Sequence, residues 1–198
     1  AHLLTACGAD PTVINGGVLV DWGSNARIGK SPWMVVEADE SDGTFARLPT
    51  QIGVVTNIDP EHLDHYGTFQ QLSDTFLDFI NKVPFYGLAV LCLDHPHVQE
   101  LLPRVQKRHV TYGLSPLSDY RAQDIRFDGL TTRFRVLRRG VPEDILHLGA
   151  VGKAHGRTGG VDEKLAHEIA GEQGVFFAHE AFEVADIGEG TAVGQLAG

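Results

Sequence analysis

Four acidic residues stand within six positions, immediately after the apolar segment 33–36: Glu37, Asp39, Glu40 and Asp42. Carboxylates this close repel one another, and a bound cation would relieve the repulsion. Glu37 falls where a buried strand should end, so we predict that it ligates a hard cation such as Mg²⁺, which prefers oxygen ligands. A single carboxylate at a strand end is more often simply solvated, and the three further acids argue against that alternative here.

His62 follows a second apolar segment, residues 52–58, in the sequence Asp-Pro-Glu-His-Leu-Asp-His. We predict that it ligates a second metal ion or contacts phosphate. It also fits the start of a helix, with Asp59 as N-cap and Pro60 at the first helical position, and the two interpretations are compatible. Ligands bind beyond the carboxyl ends of strands in an open α/β sheet. The sequence therefore predicts that Glu37 and His62 lie side by side in a metal–phosphate site.

Other residues near these clusters are weaker candidates. Asn25 and Arg27 lie in a glycine-rich loop and could contact an anionic substrate, although a loop Asn more often satisfies its own turn. Tyr66 could pack over a ligand or cover the helix start, and we expect His65 to be exposed. The segment 149–154 contains a Gly-Lys pair but lacks the earlier Gly and the following Ser or Thr of a phosphate loop.

The elements that would position these residues alternate between strands and helices. Buried strands are predicted at 33–36, 52–58 and 87–93, where continuous apolar runs are typical of a parallel sheet, and a further strand is predicted at 109–113. The apolar spacing predicts a helix over 68–83, and a short helix is predicted over 95–102. The alternation of polar and apolar residues over 131–138 predicts a half-exposed strand, with antiparallel structure near residue 134. Residues 1–8 are interpreted as a helix end, 15–31 as a loop or short hairpin, and 161–171 as a possible helix. The predicted fold class is α/β, with a mostly parallel, doubly wound sheet.

Composition excludes several classes of partner. The net charge of −10 argues against duplex nucleic acid, which requires a basic face. No apolar run is long enough to span a bilayer, and the two cysteines match no metal or redox spacing, so a cytoplasmic setting and no membrane partner are expected. The chain opens on helix-like residues without a methionine, and we interpret it as part of a longer protein.

Several of these motifs together resemble the Mur ligase family, in its central ATP-binding domain, which is similar to P-loop nucleotide hydrolases. The matching segments are Asn15-Gly16-Gly17, Glu37 to Gly43, Thr56 to Tyr66, Val83 to Gly87, Cys92 to Asp94 and Thr111 to Gly113. We assign residues 1–148 to this domain and leave 149–198 unassigned, because that segment is unlike the family and could be disordered or partly helical. The family's phosphate loop is not found and would precede Ala1.

The resemblance implies an ATP- and Mg²⁺-dependent ligase in peptidoglycan biosynthesis that joins L-alanine to UDP-N-acetylmuramate. It implies a catalytic, metal-binding role for Glu37 and His62. By position, Asn25 and Asp39 would lie at the nucleotide, and Asn25, Arg27 and Tyr66 at the substrate. Without the phosphate loop, we expect no alanine-dependent ATP hydrolysis from this chain alone.

Three alternatives remain open at this point. One is the related ligase that attaches a murein tripeptide to the same sugar nucleotide. Another is a metal-dependent hydrolase built on Glu37, Asp39, His62 and His65, although their spacing matches no zinc signature. The last is a non-catalytic remnant that keeps the fold and has lost the chemistry.

Overall fold

The computed structural model describes residues 1, 4–5, 8–20, 22–128, 131–149 and 191–194. Its strands are β1 (Thr12–Leu19), β2 (Ser24–Arg27), β3 (Met34–Glu37), β4 (Ile52–Val55), β5 (Leu88–Cys92), β6 (His109–Gly113), β7 (Tyr120–Asp128), β8 (Thr131–Arg138), β9 (Val141–Gly149) and β10 (Thr191–Gly194). The α-helices are α1 (Leu63–Tyr66), α2 (Phe69–Lys82) and α3 (Pro96–Leu101), and short 3₁₀ turns cover Thr44–Arg47 and Leu102–Arg104.

The strands form one sheet in the order β2-β1-β3-β10-β4-β5-β6-β7-β8-β9. All neighbouring pairs from β1 to β7 along this order are parallel, while β2, β8 and β9 are antiparallel to their neighbours. The predicted α/β class with a mostly parallel sheet is therefore confirmed, including the antiparallel strand near residue 134. The most sequence-remote strand, β10, lies in the middle of the parallel part.

Helix α2 confirms the helix predicted over 68–83. The Thr68 hydroxyl accepts a hydrogen bond from the Gln71 N–H at 3.2 Å and so satisfies an N–H that the first turn leaves unpaired. Phe76 and Phe79 project from its apolar face against Phe45, with ring centroids 5.0 and 5.3 Å apart. This face, together with residues of α1 and α3, covers one side of the sheet.

Strands β4 and β5 are buried along their whole length, as their continuous apolar sequences predict. Gly53 interrupts the apolar run of β4 for a packing reason. A Cβ atom at that position would lie 3.2 Å from the Phe79 ring, so the glycine lets α2 approach the sheet closely. The opposite side of the sheet is covered by a second cluster that includes Tyr112, Tyr120 and Phe134.

The glycine-rich segment 15–31 forms the short hairpin that was one of its two predicted conformations. Strands β1 and β2 pair antiparallel, and β1 also pairs parallel with β3. This segment is therefore part of the sheet rather than a loop above it. It brings Asn15 and Gly16 beside the end of β3, where the first acidic cluster begins.

Strands β7 and β9 were not predicted. In β7, Tyr120 and Ala122 are buried, but Asp124 has a positive φ of 57° and the register shifts between Gln123 and Arg126. This bulge breaks the two-residue alternation on which strand prediction depends. Strand β9 returns along β8 through a two-residue turn at Arg139 and Gly140, whose φ values of 47° and 80° are those of a primed hairpin turn.

Two predictions fall wholly or partly outside the described residues. Leu4 and Thr5 are helical, in agreement with the helix end expected over 1–8, but the rest of that segment is not all described. The helix expected over 161–171 lies entirely outside the described residues. Within the described part of the chain, no helix combines the length and apolar character needed to cross a bilayer.

Candidate metal and phosphate site

The acidic cluster and the histidine turn lie at the same edge of the sheet. Strands β3, β10 and β4 are parallel, and Gly194 of β10 pairs with Glu37 on one side and Val54 on the other. The expectation that the two site-bearing strands are immediate neighbours is wrong, because β10 separates them. Two strand spacings place the Glu37 backbone about 10 Å from that of Val54. That distance leaves room for a ligand between the two clusters.

Glu37 is held in place by the first hairpin. Its Oε2 atom accepts a hydrogen bond from the Gly16 N–H at 2.5 Å. A Cβ atom on Gly16 would lie 3.2 Å from the same oxygen, so a larger residue there would require the carboxylate to shift by a few tenths of an ångström. This hydrogen bond fixes Glu37 at the carboxyl end of β3.

His62 meets two other carboxylates. Its Nε2 atom lies 3.5 Å from Oε1 of Glu40. One ligand atom from each of Glu40, Glu61 and His62 lies within 4.8 Å of the others. We call these three residues the Glu–Glu–His cluster. Two carboxylate oxygens and one imidazole nitrogen form a donor set that suits a divalent cation such as Mg²⁺ or Mn²⁺.

Glu40 and Glu61 were not predicted as site residues, although Glu40 belongs to the acidic run and Glu61 precedes His62. Glu40 is only 7% exposed, which is unusual for a carboxylate at a strand end. A turn that brings residue 40 to residue 62 is a long-range contact, so local spacing held no signal for it. The metal-dependent hydrolase set proposed above is also not the set that the structure brings together, since Asp39 and His65 are outside this cluster.

The predicted helix start at Asp59 and Pro60 is wrong. Helix α1 begins at Leu63, and His62 occupies the N-cap position with φ 52° and ψ 31°. This left-handed conformation is uncommon for a residue with a side chain and is found where the surroundings impose it. It turns the chain sharply between Glu61 and Leu63, and the imidazole is thereby directed to Glu40.

Asp39 is committed to its own loop. Its carboxylate accepts the Ser41 N–H at 2.7 Å, and Asp42 does the same with the Thr44 N–H at 2.8 Å. The bonds from the Ser41 backbone and then its side chain hold the pKa of Asp39 below its usual value. Asp39 is therefore an exposed anion that shapes the loop around Glu40, and a direct contact with a nucleotide stays a prediction.

Tyr66 is buried, and its hydroxyl donates a hydrogen bond to the main-chain carbonyl oxygen of Glu40. Burial, followed by the negative charge of Glu40 and its acidic neighbours, raises the pKa of Tyr66 to about 12. His65 is exposed, as expected, and lies edge-on to the Tyr66 ring at 4.8 Å. These contacts favour the second predicted role of Tyr66, covering the helix start, while its substrate contact stays a prediction.

Asn25 and Arg27 lie on β2, at the outer edge of the sheet. Arg27 forms an ion pair with Asp10, and its guanidinium lies 4.9 Å from the centre of the Trp22 ring. Asn25 is exposed. The pairing of β2 with β1 and of β1 with β3 places it at about the level of Glu37, two strands away. The structure thus gives Arg27 structural partners and leaves Asn25 accessible at the edge where the site lies.

A second histidine contacts the segment that precedes the Glu–Glu–His cluster. His95 Nδ1 accepts a hydrogen bond from the Ile58 N–H at 3.4 Å, and its Nε2 lies 3.4 Å from Oδ1 of Asp59. In the same segment, the buried Oδ1 of Asn57 has no hydrogen-bond partner among the described residues. Sequence reasoning missed His95 because its position depends on contacts with a distant part of the chain.

Comparison with known proteins identifies the family to which this chain belongs. A family model described as the Mur ligase middle domain matches residues 29–155. The chain belongs to the Mur ligase family. Among curated proteins, the UDP-N-acetylmuramate–L-alanine ligase of Sorangium cellulosum is 62% identical over 142 residues, which is 72% of this chain and 30% of that protein.

A second relative of the same name extends the match along the chain. The UDP-N-acetylmuramate–L-alanine ligase of Rhizobium johnstonii is 47% identical over 191 residues, or 95% of this chain and 41% of its own length. This alignment continues beyond residue 148, and the family model ends at residue 155. The chain therefore spans well under half the length of the curated relatives it matches.

Solved structures support the fold. The crystal structure of a UDP-N-acetylmuramate–alanine ligase from Thermotoga maritima is similar with a TM-score of 0.70 at 20% identity, over 92% of this chain and 37% of that one. A MurF ligase from the same organism, solved in complex with ADP, gives a TM-score of 0.53 at 18% identity over 74% of this chain and 35% of that one. At these identities the likeness establishes the fold alone.

Proposed function

We propose that this chain is part of an ATP-dependent amide ligase that joins L-alanine to UDP-N-acetylmuramate. The observation that carries the proposal is the position of Glu37 and the Glu–Glu–His cluster at one carboxyl edge of a parallel sheet. The high identity to ligases of this name supports the choice of substrates, and the ADP complex of a family member supports the choice of nucleotide. A cytoplasmic setting is part of the same proposal.

In this reaction, the γ-phosphoryl group of ATP is transferred to a carboxylate oxygen of the sugar nucleotide, giving an acyl phosphate and ADP. The amine of L-alanine then attacks the carbonyl carbon, phosphate leaves with the electrons of the broken C–O bond, and the nitrogen loses a proton to give the amide. Such chemistry depends mainly on positioning and on stabilisation of phosphate charge.

The residues of this chain would contribute to that positioning as follows. Glu37, Glu40, Glu61 and His62 would hold divalent cations, and Mg²⁺ bound there would neutralise phosphate charge during transfer. Asn25, exposed at the same edge, would contact the nucleotide or the substrate.

Three further residues would act from around the cation site. Asp39 would keep the acidic loop folded close to the nucleotide. Arg27 and Tyr66 would act on the substrate mainly by holding the hairpin and the histidine turn, because both already have partners within the protein.

Metal binding by the chain tests directly whether the Glu–Glu–His cluster is a cation site. Titration with Mn²⁺, followed by electron paramagnetic resonance, should show a bound ion in the wild-type chain. Glu40→Gln and His62→Gln should each raise the dissociation constant at least about tenfold, since each removes one direct ligand. Asp78→Asn removes the same charge from an exposed position on α2 and should leave binding unchanged.

Calorimetry with Mg-ATP and with UDP-N-acetylmuramate tests the ligand classes. Heat from either ligand that is lost in Glu37→Gln supports the ligase. Mn²⁺ binding that Glu40→Gln and His62→Gln leave unchanged would contradict the assignment of the cation site. The absence of heat from both small-molecule ligands would favour a remnant without ligand binding.

A further inference from the structure

His95 occupies a helix N-cap position but does not use its side chain as a cap. It immediately precedes α3, and no side-chain hydrogen bond from it reaches the first turn of that helix. Its imidazole instead points back to the end of β4, where Nδ1 accepts the Ile58 N–H and Nε2 lies next to the Asp59 carboxylate. The side chain is 21% exposed, so both contacts are partly shielded from water.

The His95 ring is supported from its other side by a series of rings. The His97 ring lies 5.6 Å from that of His95, and the Phe69 ring lies 4.4 Å from that of His97. Phe69 is the first residue of α2. The imidazole therefore connects α2, α3 and the segment after β4, and its orientation is fixed by packing as well as by hydrogen bonds.

The two contacts also specify the protonation state of His95. An Nδ1 atom that accepts an N–H carries no proton, so the proton is on Nε2 and is directed to Asp59. Burial lowers the pKa of His95, although the adjacent Asp59 opposes that effect, and the neutral ring required by this geometry is thereby favoured.

The segment held by His95 leads directly to the Glu–Glu–His cluster. Glu61 and His62 follow Asp59 by two and three positions, and the Glu61 N–H donates to the Asp59 carbonyl oxygen at 2.8 Å. His62 then adopts its left-handed conformation. Fixing Ile58 and Asp59 therefore fixes the residues that precede this sharp turn. The positions of two of the three ligands, Glu61 and His62, depend on them.

We propose that His95 is a positioning residue for the Glu–Glu–His cation site, holding the chain from Ile58 to His62 through both of its ring nitrogens. This inference rests on the proposed function, because it presupposes that the cluster binds a divalent cation. It adds a residue from a different strand-to-helix connection, whose ring contacts Ile58 and Asp59, the residues that precede the cation ligands.

Mn²⁺ titration of His95 variants in the full chain tests the proposal. His95→Leu removes both polar atoms at similar volume and should raise the Mn²⁺ dissociation constant about tenfold, the lower end of the effect of second-shell partners. His95→Asn keeps an acceptor for the Ile58 N–H and should recover most of that loss. His109→Asn, at an exposed histidine on β6, is the matched control and should bind Mn²⁺ as the wild type does.

Hydrogen exchange of the Ile58 amide gives a readout that does not require metal. It should be slow in the wild type and in His95→Asn and faster in His95→Leu, while amides of β5 remain protected in all three chains. Wild-type binding of Mn²⁺ with unchanged affinity in His95→Leu overturns the positioning role and leaves the proposed function intact. A wild-type chain that binds no Mn²⁺ overturns the cation site and this inference together.

Discussion

Replacing Tyr66 with phenylalanine should separate a structural role from a substrate contact. The variant keeps the buried ring and its edge-on contact with His65 and loses only the hydroxyl, which donates to the Glu40 carbonyl oxygen. If the hydroxyl acts within the fold, the free energy of unfolding should fall even when no ligand is present. A residue that acted only on substrate would leave it unchanged.

The size of the effect follows from the remaining bonds. The Glu40 carbonyl oxygen also accepts the Gly43 N–H at 3.1 Å, so it keeps one partner after the substitution. The cost is therefore that of one net hydrogen bond, about 1 kcal/mol, rather than the larger penalty of a buried acceptor with no partner.

The alkaline pH dependence gives an independent check. The pKa of Tyr66 is raised from 10.0 in the unfolded chain to about 12 in the folded one, mainly by burial. Stability that depends on the neutral hydroxyl is fully present below pH 10 and is lost as pH rises towards 12. The difference in unfolding free energy between wild type and Tyr66→Phe should therefore narrow across this range.

Urea unfolding at several pH values measures both effects. Tyr86→Phe is the control, since Tyr86 is 56% exposed and its substitution should change stability by less than about 0.5 kcal/mol. Equal stability of wild type and Tyr66→Phe below pH 10 would refute the argument. A difference that stayed constant up to pH 12 would refute the assigned cause of the pKa shift.

Two further substitutions test the core and the connection between β6 and β7. Phe79→Ala should lower the free energy of unfolding by about 3–5 kcal/mol because it leaves a cavity under β4, whereas the exposed Phe85→Ala should cost less than about 0.5 kcal/mol; urea unfolding checks both. Asp119→Asn should destabilise the chain by about 1–3 kcal/mol near neutral pH, because Asp119 accepts two bonds from Thr111. Burial acts to raise the pKa of Asp119, but those bonds and Arg139 hold it below 3.8. The difference in unfolding free energy between wild type and Asp119→Asn should therefore disappear as pH falls below that value. Acid unfolding of the two chains measures this.

Local patterns were sufficient where an element depends on its own residues. The spacing of Phe69, Phe76 and Phe79 predicted α2, and continuous apolar runs predicted β4 and β5. Burial on one face or on both faces of an element produces a characteristic hydrophobic pattern in its own sequence. Strand β7 was missed because the bulge at Asp124 changes which residues face inwards. Strand β10 has no local signal strong enough to place four residues at the centre of a sheet.

In the candidate site, too, local patterns predicted some residues, and long-range contacts determined the others. Glu37 and His62 were predicted from strand ends and residue type, and both lie at the expected edge. Glu40 and Glu61 were missed, because their approach to His62 depends on the left-handed turn at that residue, which the competing Asp59-Pro60 helix signal concealed. Long-range geometry therefore determines which of several nearby acids becomes a partner.

The central position of β10 has a consequence for the order of folding. Strands β3 and β4 are close in sequence, yet they pair through residues 191–194 rather than with each other. During synthesis on the ribosome, the parts of the sheet on either side of β10 must wait for residues 191–194 to emerge, and closing so long a loop slows the search for native pairings. Until then each part of the sheet has an unpaired edge strand, which can pair with a strand of another nascent chain and cause aggregation.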